Sequence, residues 1–216
     1  MKRILLISFF LLFFVPIPVL AENDLQQLID NTDVNGILEL ENKTYEGNIV
    51  ITKPITIKGQ KGTVIRGDET GNVIEIHASN VHVLNLTVTN SSMDRNSGEE
   101  YAAIKIFENN NHVENVTIRN SFHGIYLSQS HGNTIIGNNV TGLQNGEIAE
   151  QGNGLHLYYS NDNTLSQNTI IGTRDGMFFD YSNHNNMENN DISHTRYGLH
   201  FMYSNENEFT NNQFSY

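Results

Sequence analysis

The sequence predicts an all-β protein folded as a right-handed parallel β-helix with a short N-terminal capping helix. The first observation is a repeat: glycine-led segments begin at Gly154, Gly176 and Gly198, which are 22 residues apart, and a related copy begins at Gly124. A unit this short cannot bury its own apolar face and has to stack on copies of itself. The second is an apolar alternation inside each copy, and the third is that no helical pattern separates the copies.

The alternation predicts two or three short strands in each coil. The first and third residues after each glycine are apolar, as in a strand with one buried face: Ile125/Leu127, Leu155/Leu157, Met177/Phe179 and Leu199/Phe201. Positions eleven and sixteen are apolar again: Ile135/Val140, Leu165/Ile170, Met187/Ile192 and Phe209/Phe214. An up-and-down barrel would instead need hairpin turns and antiparallel neighbours.

The turns between these strands are rich in asparagine. It recurs at positions nine and fourteen: Asn133, Asn163, Asn185 and Asn207, then Asn138, Asn168, Asn190 and Asn212. Asparagine tolerates left-handed backbone and, at a spacing of about 4.8 Å between coils, can form hydrogen-bonded ladders. Tyr159, Tyr181 and Tyr203 occupy position five and are expected to stack.

The sequence divides into three segments. Residues 1–21 read as a signal peptide, because Lys2 and Arg3 precede an apolar run that closes on Val19-Leu20-Ala21; an uncleaved membrane anchor is the alternative. Residues 22–36 form a capping segment, in which Asp24 through Asn31 predicts a helix over the open end of the core. Residues 37–216 hold the coils, and the register still runs at Tyr216, so we expect the coil array to be incomplete there.

Composition narrows the class of partner. The formal net charge is −12 and there are no cysteines, so an oxidising compartment is tolerated without disulfides. An acidic chain with no basic cluster is repelled by nucleic acid. Beyond the first 21 residues, no hydrophobic run is long enough to span a bilayer.

One strand of the coil predicts a binding surface. The second and fourth residues after each glycine point outwards, and they form an exposed strip rich in aromatic, histidine and methionine side chains: Tyr126/Ser128, His156/Tyr158, Phe178/Asp180 and His200/Met202. Insertions Ser91–Tyr101 and Leu143–Asn153 leave at the adjoining corner and carry carboxylates that can overhang the strip: Asp94, Glu99 and Glu100 in the first, and Glu147 and Glu150 in the second. Arg174 and Arg196 occupy the same corner in later coils. The alternative is a structural face covered by a further segment.

Within this strip, the candidate metal ligands are His200 and Met202. An imidazole and a thioether are ligands that favour Cu(I), and two of them make a weak, exchanging site unless a partner supplies the rest. A second set, Asp162, His184 and Glu206, shares position eight, and we interpret it as three solvated turn residues. The remaining histidines have no partner that the repeat identifies: His77, His82, His112, His123, His131 and His194.

Catalysis has little support in the sequence. Parallel β-helix enzymes that act on acidic polysaccharides need clustered carboxylates with a base nearby, and the outward strip offers only Asp180. A polysaccharide lyase, an epimerase or a sugar-binding protein remains the alternative to a binding module, and a cell-surface structural protein is a third.

Three stretches resemble one family. These are Arg196 through Asn205, Gly154 through Asn161 and Gly47 through Gly59, which are similar to segments of the NosD family. The resemblance covers nearly all of the chain after the signal peptide, and the Tyr-Gly-Leu-His-Phe-Met-Tyr-Ser segment is its most specific part. The fold that this resemblance implies, a pectin-lyase-like solenoid, is the parallel β-helix that the repeat predicts.

The resemblance implies an exported, periplasmic accessory protein in the maturation of nitrous oxide reductase. Such a protein would work with the subunits of an ABC transporter and with a copper chaperone, and would meet the membrane only through the transporter. Copper would be held transiently. The carry-over to this chain rests on Arg196, His200 and Met202, which stand in the matching segment. The resemblance therefore favours a binding and delivery module over a catalyst.

Overall fold

A computed structural model describes residues 24–143 and 147–216 of the chain. The expected signal peptide, residues 1–21, lies outside the described residues, as do residues 144–146 of the second insertion. None of the helices within the described ranges is long and apolar enough to cross a membrane.

The predicted N-terminal helix is confirmed with its bounds, Asp24–Asn31. Leu25 and Ile29 are buried against the first coil, whereas Leu28, expected on the same face, remains 42% exposed. The helix thus covers the open end of the stack with one narrow apolar stripe. A single 3-10 turn, Ile148–Glu150, lies in the second insertion.

The coils form three parallel sheets, as the fold class predicts. In the described residues the first sheet contains Ile37–Glu39, Thr56–Lys58, His82–Leu84, His112–Glu114, Thr134–Ile136, Thr164–Ser166, Asn186–Glu188 and Glu208–Thr210. The second contains Thr44–Glu46, Val64–Arg66, Thr87–Thr89, Thr117–Arg119, Asn139–Thr141, Thr169–Ile171, Asp191–Ser193 and Gln213–Ser215. The third contains Ile49–Ile51, Ile74–Ile76, Ala102–Ile106, His123–Ser128, Leu155–Tyr158, Asp175–Asp180 and Tyr197–Met202. The architecture is a right-handed parallel β-helix of about eight turns.

The core lies inside this triangular coil and is filled by the apolar positions of the repeat. Leu157 and Phe179 of the third sheet are fully buried, and so are Leu165 and Met187 of the first. The repeat glycine is required by close packing: a Cβ on Gly176 would lie 2.6 Å from the carbonyl oxygen of the equivalent glycine one coil on. Each coil therefore presses directly on the next, which fixes the register.

The predicted asparagine ladders are confirmed, but these asparagines do not adopt the left-handed backbone conformation that we expected of them. Asn168 accepts hydrogen bonds from the backbone N–H and the side-chain amide of Asn138, both at 3.0 Å, and it donates in turn to the side-chain oxygen of Asn190. These asparagines are not in the left-handed region. The left-handed residues are their predecessors, such as Gln167 and Asn189, with φ near 56°.

The predicted tyrosine stack is confirmed. The ring centroids of Tyr159 and Tyr181 are 4.7 Å apart with planes 1° from parallel, and Tyr181 and Tyr203 are also 4.7 Å apart. All three adopt a positive φ of 47° to 50°, so the turn holds each ring over the next. The stack belongs to the scaffold.

Candidate functional site

Outward side chains of the third sheet form one column, which is confirmed by the strand register. Tyr126 pairs with His156, His156 with Phe178 and Phe178 with His200. We call these four residues the outward column. Tyr158, Asp180 and Met202 form a second, parallel column two residues further along each strand.

The expectation that this strip faces open solvent is wrong for its first half. Tyr126 and His156 are each only 6% exposed, although neither side chain belongs to the apolar core. His156 lines a cleft together with Glu99 and Glu100 of the first insertion and with Glu150 and Gln151 of the second. Tyr126 is instead packed against Lys105 and the rings of His123 and His156. The strip is therefore the floor of a cleft, and only its later coils open towards solvent.

The cleft has a volume of about 550 Å³ and carries charges of both signs. Its lining includes Arg95, Glu99, Glu100, Glu150, Arg174, Asp175 and Arg196, together with the histidines at positions 123, 156 and 200. The expected acidic overhang is thus balanced by arginines. Arg95 and Glu150 form an ion pair at 3.6 Å that joins the two insertions.

A buried carboxylate organises one end of the cleft. Asp175 has a side chain only 3% exposed; its two carboxylate oxygens accept bonds of 2.9 and 2.7 Å from Arg196, and Oδ2 also contacts Nδ1 of His200 at 2.8 Å. Burial raises the pKa of Asp175, but the bonds from Arg196 and His200 outweigh that effect and leave the pKa below its usual value. Asp175 is therefore ionised and fixes the orientation of the His200 ring.

His200 and Met202, the predicted metal ligands, both line the cleft. Because Nδ1 of His200 donates to Asp175, the lone pair of the neutral ring is on Nε2, the nitrogen available to a metal ion. Met202 is 40% exposed on the same strand. The metal-binding role of this pair stays a prediction.

A second cluster lies where the outward column is buried. Nδ1 of His123 accepts the backbone N–H of Asn153 at 2.8 Å, so the ring proton is on Nε2 and is donated to Glu100 at 2.5 Å. This bond lowers the pKa of Glu100 against the opposing effect of burial. The ring of His156 contacts that of His123 with centroids 5.1 Å apart. The expectation that His123 has no partner is therefore wrong.

Three buried side-chain atoms of the site have no hydrogen-bond partner within the described residues: Nε2 of His156, Nε of Arg174 and Oδ1 of Asp180. Burial lowers the pKa of His156 well below its ordinary value, with nearby His123 and Lys105 acting in the same direction. Burial raises the pKa of Asp180. Unpaired buried polar atoms are uncommon in proteins, and two of these three residues, His156 and Arg174, line the cleft.

The far end of the column is closed by a lysine. Lys105, the register partner of Tyr126, is 7% exposed, and its ammonium lies 5.0 Å from the centre of the Tyr126 ring. Burial lowers the pKa of Lys105 and raises that of Tyr126. This end of the column is therefore packed and offers a ligand no open surface.

Position eight of the repeat behaves as a turn, as interpreted from the sequence. Asp162, His184 and Glu206 all have a positive φ of 55° to 59°. His184 and Glu206 form an exposed ion pair at 3.1 Å, and no group of three metal ligands occurs here among the described residues.

Sequence reasoning missed two members of the site, His123 and Asp175, and it placed Glu100 in the acidic overhang without predicting the bond to His123. His123 and Asp175 each precede the repeat glycine, and Asn153 and Tyr197 occupy the same position in the other coils. A systematic comparison of that position could have found them. Glu100 lies in an insertion outside the repeat, so the sequence carries no signal for its place over His123.

The family model described as periplasmic copper-binding protein (NosD) matches residues 144–216, about the last third of the chain. This confirms the resemblance over the segment that contains Asp175, Arg196, His200 and Met202. A comparison with curated protein sequences found no match.

Solved structures similar to this chain include a polygalacturonase from Erwinia carotovora ssp. carotovora, with a TM-score of 0.70, 14% identity, and coverage of 88% of this chain and 65% of that chain. The catalytic domain of a GH87 alpha-1,3-glucanase, in complex with tetrasaccharides, has a TM-score of 0.69 and 16% identity, and the match covers 82% of this chain and 34% of that chain. The A-module of the Azotobacter vinelandii mannuronan C-5 epimerase AlgE6 has a TM-score of 0.62 and 15% identity, and the match covers 76% of this chain and 50% of that chain. This chain thus spans less than two thirds of each, and such identities show the fold alone.

Proposed function

We propose that this chain is an exported, periplasmic accessory protein that assists the delivery of copper to nitrous oxide reductase. The match to a family described as periplasmic copper-binding supports this proposal, because it covers the segment with the most specific resemblance. An ABC transporter and a copper chaperone would be its partners. Copper is then a cargo that the chain holds briefly.

The observation that carries the proposal is the orientation of His200 by Asp175. A carboxylate that holds Nδ1 of a histidine leaves Nε2 to bind metal and makes it a better ligand. Met202 follows on the same strand and supplies a thioether, so the pair suits Cu(I). Two protein ligands leave coordination positions open, through which a partner can pass the ion on.

Surfaces beside this pair suit a docking partner. Phe178 is half-buried between His156 and His200, and Tyr158 and Asp180 flank it in the second column. Arg174 and Arg196 follow one another at the rim, where the backbone N–H of Arg196 bonds to the carbonyl of Arg174 at 2.7 Å. We propose that a copper-carrying protein binds across these side chains, with its acidic residues facing the two arginines.

The test is Cu(I) affinity, measured anaerobically by competition with a chromophoric chelator. We expect His200→Ala and Met202→Ala to weaken binding by about tenfold or more, since each removes a ligand. Matched controls are His184→Ala and Met93→Ala, which change the same residue types on exposed surface outside the cleft. Equal losses in the controls, or no Cu(I) binding by the unaltered chain, would refute the proposal.

A second candidate function is action on an acidic polysaccharide or binding of one. It is favoured by the unpartnered atoms of Arg174 and Asp180 beside an elongated sheet, and by a fold shared with polysaccharide-acting proteins. Arg174 would hold a carboxylate of the polymer, and Asp180, whose pKa is raised, would exchange a proton. Uronate-polymer cleavage or binding that is abolished by Asp180→Asn would favour this function over copper delivery.

A further inference from the structure

We infer that Glu100, His123 and His156 form a second metal site, for a divalent first-row transition ion such as zinc or copper(II), separate from His200 and Met202. Each of the three residues offers one ligand atom, and these atoms lie within 4.8 Å of one another. The three come from the first insertion and from two successive coils, so neither sequence proximity nor a single turn explains their convergence.

His156 gives the first reason to place an ion here. The residue is buried, and within the described residues its Nε2 has no hydrogen-bond partner. The amide nitrogen Nδ2 of Asn153 lies 3.4 Å from Nδ1 of His156. Turning the Asn153 amide over, an exchange of O and N that leaves its shape unchanged, brings the oxygen to Nδ1, so that Nδ1 donates and Nε2 carries the lone pair a metal ion needs. Burial keeps this ring neutral, which is the state that binds metal.

His123 and Glu100 supply the other ligands. Nε2 of His123 donates its proton to a carboxylate oxygen of Glu100 at 2.5 Å, and an ion bound by these two atoms would replace that proton. When the ion binds, either that proton moves to Nδ1, so that the ring gives up its bond from the N–H of Asn153, or the proton leaves to solvent and the ring binds as imidazolate. Both changes cost free energy, so the site exchanges its ion and is not a permanent centre.

The donor set decides the class of ion. Two imidazoles and one carboxylate suit zinc or copper(II), whereas Cu(I) prefers sulfur ligands, and the sulfur of Met202 lies two coils away from His156. Ligand atoms about 2.0 Å from a tetrahedral ion lie roughly 3.3 Å from one another, so the Glu100 oxygen has to move away from Nε2 of His123, which it now contacts at 2.5 Å. Glu100 is half exposed on its insertion, so this side chain can make most of the movement.

Phe178 separates the two sites along the outward column, since it lies between His156 and His200 in register. The inference goes beyond the proposed copper delivery and stands without it. One cleft would then hold a site for a divalent ion and a site for Cu(I), separated by the coil that carries Phe178.

The experiment is isothermal titration of the chain, produced without an affinity tag, with zinc sulfate and with copper(II) sulfate. We expect one ion to bind, with affinity lowered about tenfold or more by His156→Ala and by Glu100→Gln. Cobalt(II) in place of zinc should give the visible absorption of a site with nitrogen ligands, and the two variants should weaken that signal.

The matched control is His112→Ala, which removes a histidine paired with a single carboxylate, Glu114, at 2.8 Å. It should leave the affinity unchanged. Glu100→Gln changes a half-exposed side chain, so it tests the site even if His156→Ala fails to fold. Absence of binding, or Glu100→Gln binding as tightly as the unaltered chain, would overturn the inference. His200→Ala and Met202→Ala should retain divalent binding, which separates failure here from failure of the Cu(I) proposal.

Discussion

Replacing Asp175 with asparagine tests the geometry on which the Cu(I) proposal depends. The native carboxylate accepts bonds of 2.9 and 2.7 Å from Arg196 and one of 2.8 Å from Nδ1 of His200. An asparagine amide has one oxygen only. If that oxygen stays with the guanidinium, which is the stronger donor, its NH2 group faces His200.

The consequence is a change of tautomer at His200. A nitrogen that faces an NH2 donor has to accept, so the ring proton moves from Nδ1 to Nε2, where it blocks the metal. Loss of such an orienting carboxylate typically costs about 10- to 100-fold in metal affinity, which corresponds to about 1.4 to 2.7 kcal/mol. We therefore expect Asp175→Asn to weaken Cu(I) binding to that extent while His200 and Met202 are both intact.

The assay is chelator competition for affinity, together with nitrogen chemical shifts of the His200 ring, which report the tautomer directly. Asp191→Asn is the matched control, because it changes an exposed carboxylate on a strand of the second sheet, away from the cleft. Circular dichroism should show an intact fold in both variants. If Asp175→Asn bound Cu(I) as tightly as the native chain, with the proton still on Nδ1, the reasoning would be refuted.

Three further predictions concern the scaffold. Asn168→Ala removes buried hydrogen bonds to both neighbouring coils and should cost about 2 to 5 kcal/mol in thermal or denaturant unfolding, whereas the partly exposed Asn212→Ala should cost clearly less. Gly176→Ala places a Cβ 2.6 Å from a carbonyl oxygen and should cost about 1 to 3 kcal/mol; Gly71→Ala, whose Cβ would meet nothing closer than 3.7 Å, should be neutral, and equal effects would contradict the packing argument. Arg95→Ala removes an exposed ion pair and should change the free energy of unfolding, measured in a denaturant titration, by less than about 1 kcal/mol.

Features that repeat were predictable from the sequence. The 22-residue period fixes the register, and the register places Tyr126, His156, Phe178 and His200 in one column. Side-chain alternation then decides which residues face the core, because successive residues of a strand point to opposite faces. The short cap was predictable for a related reason: an open end of a coil stack needs an apolar helix or an equivalent cover.

Features that depend on the insertions were not predictable. The sequence placed the insertions at the corner beside the strip, but an irregular segment has no period from which its path over the sheet can be derived. The position of His156 beneath the insertions, and the bond from His123 to Glu100, follow from that path. The conformation of the asparagines was mistaken for a different reason. The ladder asparagine and the left-handed residue are neighbours in the sequence, and the residue types alone do not say which of the two adopts the positive φ.

The strands of the third sheet and the two insertions that lie over them differ in how firmly they are held, and this difference affects how a metal ion would enter and leave the cleft. His156 and Phe178 stand on strands that have a neighbouring strand on each side, whereas His200 stands on the last strand of the third sheet, which pairs with that of Phe178. The strand register fixes the spacing of these side chains. The cover is joined across the cleft by the exposed pair Arg95–Glu150, a type of contact that contributes less than about 1 kcal/mol. A partner that replaces this pair with its own charges could therefore reach the floor at little cost. Rigid ligands under a weakly held cover favour transfer of an ion over its permanent retention.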